Sequence, residues 1–154
     1  MHREYVPDSK EISRFALFDK SKNYTRNLIA TDNEHYAIML LCWNAGKFSP
    51  IHDHPCDGCW VKVMEGTMQE VRYVKKGDHL QVSEEIVASE GVLYMHDSMG
   101  VHKVGNPTTK DAITLHIYSP PFEKCRLWLD PNDASRNHEA VSCYYSEFGV
   151  KTVL

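Results

Sequence analysis

From residue 23 onwards, the sequence is a succession of short stretches rich in β-branched and aromatic residues, separated by turn signals. "NYTRNLIA" and "HYAIMLLCW" flank the polar "TDNE", and "CWVKVMEGTMQEVRYV" carries two such stretches around Gly66. "DAITLHIYSP" ends at Pro120 and Pro121, and proline cannot continue a central strand. Many short strands at regular spacing favour a β-sandwich or a β-barrel.

The length of 154 residues fits one domain with a hydrophobic core. Near the start, "SKEISRFALF" predicts a short amphipathic helix that Ser9 or Ser13 could cap. The sequence "RLWLDPNDASRNHEAVSCYYSEFG" predicts a late hairpin with a polar loop. We therefore expect an N-terminal segment over residues 1–22 and a β domain over residues 23–154.

Charge and cysteine content narrow the possible partners and location. The formal net charge of −4 gives no electrostatic reason to expect nucleic acid or an anionic membrane as a partner. The longest apolar run, "AIMLLCW", is too short to cross a bilayer, and "MHREYVPDSKEISRF" lacks the apolar part of a signal peptide. The odd number of cysteines, five, indicates free thiols in a reducing, cytoplasmic location.

One predicted strand, "ITLHIYS", alternates apolar and polar residues. Ile113, Leu115 and Ile117 would share one face of the strand, and His116 and Tyr118 the other. A polar face can be the solvent-facing side of a half-buried strand. It can equally be the lining of a small barrel that holds a ligand. The alternation alone leaves both interpretations open.

The stretch "SPIHDHPCDGCW" holds a histidine pair and a Cys-x-x-C. On a strand, His52 and His54 would project to the same side, which is the arrangement of a bidentate metal pair. The pair alone is weak evidence, because histidine is common at surfaces. For Cys56 and Cys59, a structural zinc site usually needs a second pair of ligands. A thioredoxin-like motif would need a strand-to-helix context, which this stretch does not offer.

The spacing around these residues resembles the first cupin motif, in the form Gly-x5-His-x-His-x4-Cys-x6-Gly. The residues that match it are Gly46, His52, His54, Cys59 and Gly66. A glutamate usually stands where this chain has Cys59. The cupin family therefore supplies the expected fold, a mainly β, single jelly-roll β-barrel with a short N-terminal helical segment.

The second cupin motif is matched in part by "GVLYMHDSMGVHKVGN". Gly91, His102 and Asn106 fall at its spacing, while Asp97 and Met99 replace the usual proline and glycine. Two spaced matches in the right order make coincidence a poor explanation.

Cysteine in place of glutamate leaves three histidines and no carboxylate in the predicted site. Three neutral nitrogen ligands leave the charge of a divalent ion uncompensated, whereas the usual iron facial triad has two histidines and one carboxylate. Such a site should favour a substrate that brings its own anion, such as a thiolate. Three histidines, two substrate atoms and one dioxygen would fill an octahedral iron.

Over most of residues 23–154 the chain resembles the cysteine dioxygenase family. The stretches that carry the resemblance are "NYTRNL", "LCWNAGKFSPIHDH", "WVKVMEG", "HDSMGVHKV" and "LHIYSPPFEKC". The resemblance implies Fe²⁺ held by His52, His54 and His102, and oxidation of the thiol of L-cysteine by O₂ to cysteine sulfinate. A monomer that acts on these small molecules, without nucleic acid or membrane as partner, is expected.

The same resemblance implies roles for six further residues. Arg26, Tyr24 and Thr114 would bind the substrate, with Arg26 on its carboxylate and Tyr24 assisting. Cys59 and Tyr118 would form a protein-derived Cys-Tyr thioether, and His116 would be the catalytic histidine that is hydrogen-bonded to Tyr118. Thr114 stands where the animal enzymes have serine. The N-terminus is shorter than in the animal enzymes, so either the helical part of the fold is reduced or the N-terminus has been trimmed.

Each of these residues also has a plain structural interpretation. Arg26 could be a solvated strand arginine, and Tyr118 a strand tyrosine whose hydroxyl is satisfied by His116. A guanidinium binds a carboxylate through two parallel hydrogen bonds, which lysine cannot do, and this favours the substrate clamp.

Two other functions remain open at this point. The chain could be a dioxygenase for another small thiol, such as 3-mercaptopropionate, or a non-catalytic metal-binding cupin. Arg26 within "YTRN" and Cys59 at the thioether position favour L-cysteine over the other thiol.

Overall fold

The computed structural model describes residues 9–153, which form one short α-helix, one 3₁₀ turn and thirteen strands. The helix is α1 (Ser9–Ser13), and the 3₁₀ turn spans Asp97–Met99. The strands, in chain order, are β1 (Tyr24–Thr31), β2 (Ala37–Trp43), β3 (Ile51–His52), β4 (Gly58–Glu65), β5 (Met68–Lys76), β6 (His79–Ala88), β7 (Val92–Met95), β8 (Val101–Gly105), β9 (Ala112–Ser119), β10 (Lys124–Trp128), β11 (Asn137–Val141), β12 (Ser146–Glu147) and β13 (Val150–Lys151).

The strands form two sheets. The larger sheet has the order β13-β12-β1-β2-β9-β4-β7, and the smaller has the order β11-β10-β3-β8-β5-β6. The prediction of a mainly β fold with a short N-terminal helix is confirmed. The sheets do not close into the predicted barrel, because each keeps two edge strands in the described part of the chain.

The polar residues of β9 face the interior. Thr114, His116 and Tyr118 are buried, whereas Leu115 and Ile117 are half-buried. Of the two interpretations of "ITLHIYS", the structure therefore supports the polar lining.

The opposite face of the larger sheet is covered by the chain that follows α1. Leu40, Cys42 and Ile113 form a buried apolar cluster there, and Phe15 and Phe18 pack against it. This cover explains why β9 needs apolar residues on the face that does not point into the sandwich.

The N-terminal and C-terminal predictions hold in part. The helix predicted for residues 9–18 ends at Ser13, and the residues after it pack on the sheet without helical structure. Residues 1–8 of the predicted N-terminal segment lie outside the described residues. β10 and β11 form the predicted late hairpin, but the chain after it pairs elsewhere, since β12 runs parallel to β1. No helix within residues 9–153 is long and apolar enough to span a membrane.

Candidate metal centre

Three histidines meet at the smaller sheet. His52 on β3 lies directly opposite His102 on β8 in antiparallel register. His54 follows two residues after His52, and the three ring centroids lie 4.4 to 4.9 Å apart. One nitrogen from each ring lies within 4.8 Å of the other two. The structure thus brings together all three histidines that the sequence singled out as ligands.

The expectation that His52 and His54 share a strand is wrong. β3 ends at His52, and His54 lies in the loop that follows. The backbone N–H of His54 donates to Oδ1 of Asp97 (2.6 Å) instead of to a neighbouring strand. This carboxylate, at the position where the second cupin motif usually has proline, therefore fixes the loop that carries His54.

The hydrogen bonds of the rings define which nitrogen faces the cluster. His52 Nδ1–H donates to the carbonyl of Pro50 (2.9 Å), and His102 Nδ1–H donates to Oε1 of Glu70 (2.6 Å). A carbonyl and a carboxylate only accept, so Nε2 of both rings keeps a free lone pair.

His54 differs from its two neighbours, because both of its ring nitrogens are buried without a hydrogen-bond partner. A buried polar atom left unpaired costs about 1–3 kcal/mol. A metal ion bound by one nitrogen of each imidazole would satisfy the free lone pair of His54 and remove part of this cost. The donor set of the cluster therefore fits a divalent transition metal.

The electrostatics of the cluster favour neutral imidazoles. Burial lowers the pKa of His52, and it lowers the pKa of His54 and His102 well below the usual range. Repulsion among the rings lowers the pKa of His54 and His102 further. Neutral imidazole is the form that binds metal, so near pH 7 the site needs no proton release from these rings.

A cavity of about 250 Å³ adjoins the cluster. His52, His102, Tyr24, Arg26, His116 and Tyr118 are among its lining residues. The Nη1 atom of Arg26 is buried and has no hydrogen-bond partner. The guanidinium carbon of Arg26 lies 5.1 Å from the ring centroid of Tyr144, and Tyr24 stacks on Trp43 at 4.5 Å. The cavity thus combines a small volume with a positively charged donor that lacks an acceptor.

A chain of hydrogen bonds runs behind the cavity. Nε1–H of Trp43 donates to Oγ1 of Thr114 (2.8 Å), which bonds Nε2 of His116 (2.8 Å). Nδ1 of His116 lies 3.3 Å from the hydroxyl of Tyr118. Thr114 is fully buried. Its hydroxyl is therefore engaged with Trp43 and His116, although the resemblance implied a place beside the substrate.

Cys59 and Tyr118 are directly opposite each other on β4 and β9. Both side chains are buried, and burial raises the pKa of the Cys59 thiol and of the Tyr118 phenol. Side chains of a directly opposed pair have Cβ atoms about 4.5–5.5 Å apart. The register therefore makes the pair close neighbours in their neutral forms.

Sequence reasoning missed three residues around the site. Phe122 lies edge-on to Tyr118, with centroids 5.0 Å apart. Glu70 and Arg72 are buried and form an ion pair, with Nη2 of Arg72 3.1 Å from Oε2 of Glu70. The sequence does contain a signal for this pair. A glutamate and an arginine stand two residues apart in "MQEVRYV", so they share one face of a strand.

The burial of His116 predicts a pH-dependent stability. Burial, and then the charge of Arg26, lowers the pKa of His116 from 6.5 to about 3. Between pH 6.5 and about pH 3, His116 is protonated in the unfolded chain but neutral in the folded protein. The free energy of unfolding should therefore decrease as pH falls from 6.5 towards about 3, by up to ~1.4 kcal/mol per pH unit from this residue.

Urea unfolding of the metal-free protein between about pH 7 and about pH 5 measures this slope. We expect a smaller slope for His116→Gln, whatever its stability at neutral pH. The control His138→Gln changes an exposed histidine of β11 and should keep the slope of the wild type. Equal slopes for all three proteins would contradict the prediction.

Comparison with known proteins gives the family. The sequence model for "Cysteine dioxygenase type I" matches residues 1–130. Cysteine dioxygenase type 1 from Bos taurus is 35% identical over 153 residues, which cover 96% of this chain and 75% of the bovine protein. The protein of the same name from Homo sapiens is 34% identical with the same coverage.

The fold is also found among solved structures. An RmlC-like cupin protein from Desulfovibrio desulfuricans superposes with a TM-score of 0.50 and 22% identity, over 70% of this chain and 92% of that protein. That similarity shows the cupin fold, and the family follows from the sequence matches. The chain belongs to the cysteine dioxygenase type I family.

Proposed function

We propose that this protein is an iron-dependent cysteine dioxygenase that converts L-cysteine and O₂ to cysteine sulfinate. His52, His54 and His102 would hold the Fe²⁺ ion, whose chemistry is the activation of the thiolate and of dioxygen. One observation carries the proposal: three neutral histidines converge beside a cavity in which an arginine nitrogen is buried without an acceptor. Membership of the family supports the same activity.

Arg26 is the proposed clamp for the substrate carboxylate. Its unpaired Nη1 offers a donor inside the cavity, and a guanidinium can bind both oxygens of a carboxylate at once. Tyr24 lines the same cavity and would assist. A clamped carboxylate would hold the short substrate in one orientation, so that its thiol end points towards the histidines.

Tyr118 is the proposed hydrogen-bond donor to the reacting substrate. The low pKa of His116 means that its ring carries a single N–H proton. When the hydroxyl of Thr114 donates to Nε2, Nδ1–H of His116 can donate to the Tyr118 oxygen. The phenol O–H is then free to donate into the cavity. The role proposed for Thr114 is therefore to orient His116, and Trp43 in turn orients Thr114.

A thioether between Cys59 and Tyr118 is part of the proposal. The cross-strand register and the burial of both side chains support it. The carbon–sulfur bond replaces the thiol hydrogen and one ring hydrogen. Dioxygen, the proposed co-substrate, would accept the two electrons and protons. The bond would hold Tyr118 in place against His116.

Mass spectrometry after repeated turnover tests the thioether. We expect the tryptic peptides that contain Cys59 and Tyr118 to appear as one linked species, lighter than their sum by two hydrogen masses. Cys59→Ser should abolish the linked species, and the matched control Cys56→Ser should retain it. Separate peptides from a wild-type enzyme that has turned over many times would contradict this part of the proposal.

The central experiment loads the metal-free protein with Fe²⁺ under anaerobic conditions and then adds oxygenated substrate. We expect oxygen uptake with L-cysteine and formation of the sulfinate, detected by mass spectrometry. A clear preference for 3-mercaptopropionate would assign a different thiol substrate. No oxygen uptake with any thiol would support a non-catalytic cupin.

We further propose a monomeric enzyme of the reducing cytoplasm, without nucleic acid or membrane as partner. None of the five cysteines, all of which lie within residues 9–153, is paired in a disulfide, and this supports a reducing location.

A further inference from the structure

A buried charged pair stands behind the histidine cluster. Glu70 and Arg72 lie on the same face of β5 and are 2% and 8% exposed. One oxygen of Glu70 accepts the Nδ1–H of His102 at 2.6 Å. Its other oxygen accepts from Nη2 of Arg72 at 3.1 Å. Both oxygens of this carboxylate are therefore engaged, one with a proposed ligand and one with a cation.

Arg72 is itself held from two sides. Nη1 donates to Oε2 of Glu84 on β6 at 2.8 Å, and Nη2 donates to the carbonyl of Tyr94 on β7 at 3.0 Å. The side chain of Glu84 is 53% exposed. A continuous series of hydrogen bonds thus links His102 to the protein surface through Glu70, Arg72 and Glu84.

Stability alone does not explain why Glu70 and Arg72 form an ion pair in the interior. A buried ion pair often contributes no more to stability than apolar residues of similar volume, because both charges lose their hydration. A functional reason for the pair lies in the three-histidine cluster, which has no carboxylate among its own members. The carboxylate that is missing at Cys59 is present one hydrogen bond away, behind His102.

The three histidine rings differ in their hydrogen-bond partners. The ring of His52 donates to a neutral carbonyl, and the ring of His54 has no partner in the protein. Of the three imidazole rings, only that of His102 is hydrogen-bonded to a charged group. A carboxylate behind a ligating imidazole fixes its tautomer and orientation and increases its basicity.

We propose that Glu70, held in place by Arg72, is the positioning residue of His102. It keeps Nε2 of His102 directed at the metal and supplies, through the imidazole, negative charge that the three neutral ligands lack. This inference rests on the proposed metal site. His102 is then the ligand of the cluster whose ring orientation is fixed by a carboxylate.

Titration of the metal-free protein with Co²⁺, followed by the visible absorption of the bound ion, tests the role of Glu70 without turnover. We expect Glu70→Gln to weaken Co²⁺ binding by about 10–100-fold and to shift the absorption bands. The matched control Glu85→Gln removes the charge of an exposed glutamate of β6 outside this series, and its affinity and spectrum should equal those of the wild type.

A double variant separates positioning from stability. Glu70→Gln leaves the charge of Arg72 buried beside a neutral group and should lower the thermal stability. Glu70→Gln combined with Arg72→Met removes both charges and should recover part of that stability, while Co²⁺ binding stays weak. Recovery of the wild-type affinity in the double variant would overturn the positioning role, as would an unchanged affinity in Glu70→Gln. A wild-type protein that binds no Co²⁺ would instead refute the metal site.

Discussion

Replacing Arg26 with alanine is expected to raise KM for L-cysteine by about 30- to 150-fold, with a smaller effect on kcat. The change removes a charge-assisted bidentate contact with the substrate carboxylate, which is worth about 2–3 kcal/mol. The buried and unpaired Nη1 of Arg26 is the structural reason for this expectation. Steady-state oxygen uptake by the iron-loaded enzyme measures the effect.

Cysteamine, which is L-cysteine without its carboxylate, shows whether Arg26 acts on that group. We expect Arg26→Ala to abolish the preference for L-cysteine over cysteamine, because only L-cysteine uses the clamp. Arg26→Lys keeps the charge but loses the two parallel hydrogen bonds, so its KM for L-cysteine should lie between those of the wild type and Arg26→Ala. Arg126→Ala, a change of an exposed arginine on β10, is the matched control and should leave KM unchanged. An unchanged KM for L-cysteine in Arg26→Ala would remove Arg26 from the site.

The strand succession was predictable because turn chemistry and β-rich stretches are local properties of the sequence. Which face of β9 points into the interior was not predictable in this way. Alternation in "ITLHIYS" is the same whether His116 and Tyr118 face solvent or a cavity. The answer depends on Phe15 and Phe18, which cover the other face of the sheet from nearly a hundred residues away. No local pattern contains that information.

The three histidines were predictable from spacing, but their environment was not. His54 lies in the loop after β3, where its backbone N–H donates to Asp97, a residue 43 positions away in the sequence. Glu70 was missed because a motif search looks for ligands, whereas this carboxylate acts on a ligand through one hydrogen bond. The partners of a metal ligand depend on strand register, which short motifs do not specify.

Replacing His54 with alanine is expected to abolish iron retention and oxygen uptake. Changes of groups that only support a ligand cost about 10–100-fold in metal affinity, so the loss of one of three ligands should cost more. Both ring nitrogens of His54 lack protein partners, so no protein bond would be broken in the metal-free state. Metal analysis after desalting measures iron retention, and the control His138→Ala should retain iron. Stoichiometric iron in His54→Ala would show that His54 is not a ligand.

His54→Glu tests why the cluster has no carboxylate of its own. Glutamate can ligate iron and creates the common set of two histidines and one carboxylate, so metal retention should exceed that of His54→Ala. The added negative charge offsets the charge of the metal and should repel the substrate thiolate. We therefore expect an iron-loaded His54→Glu protein whose affinity for L-cysteine is at least about tenfold weaker, since 1.4 kcal/mol suffices for that factor. Wild-type oxygen uptake by this variant would show that three neutral ligands are not required for thiol oxidation.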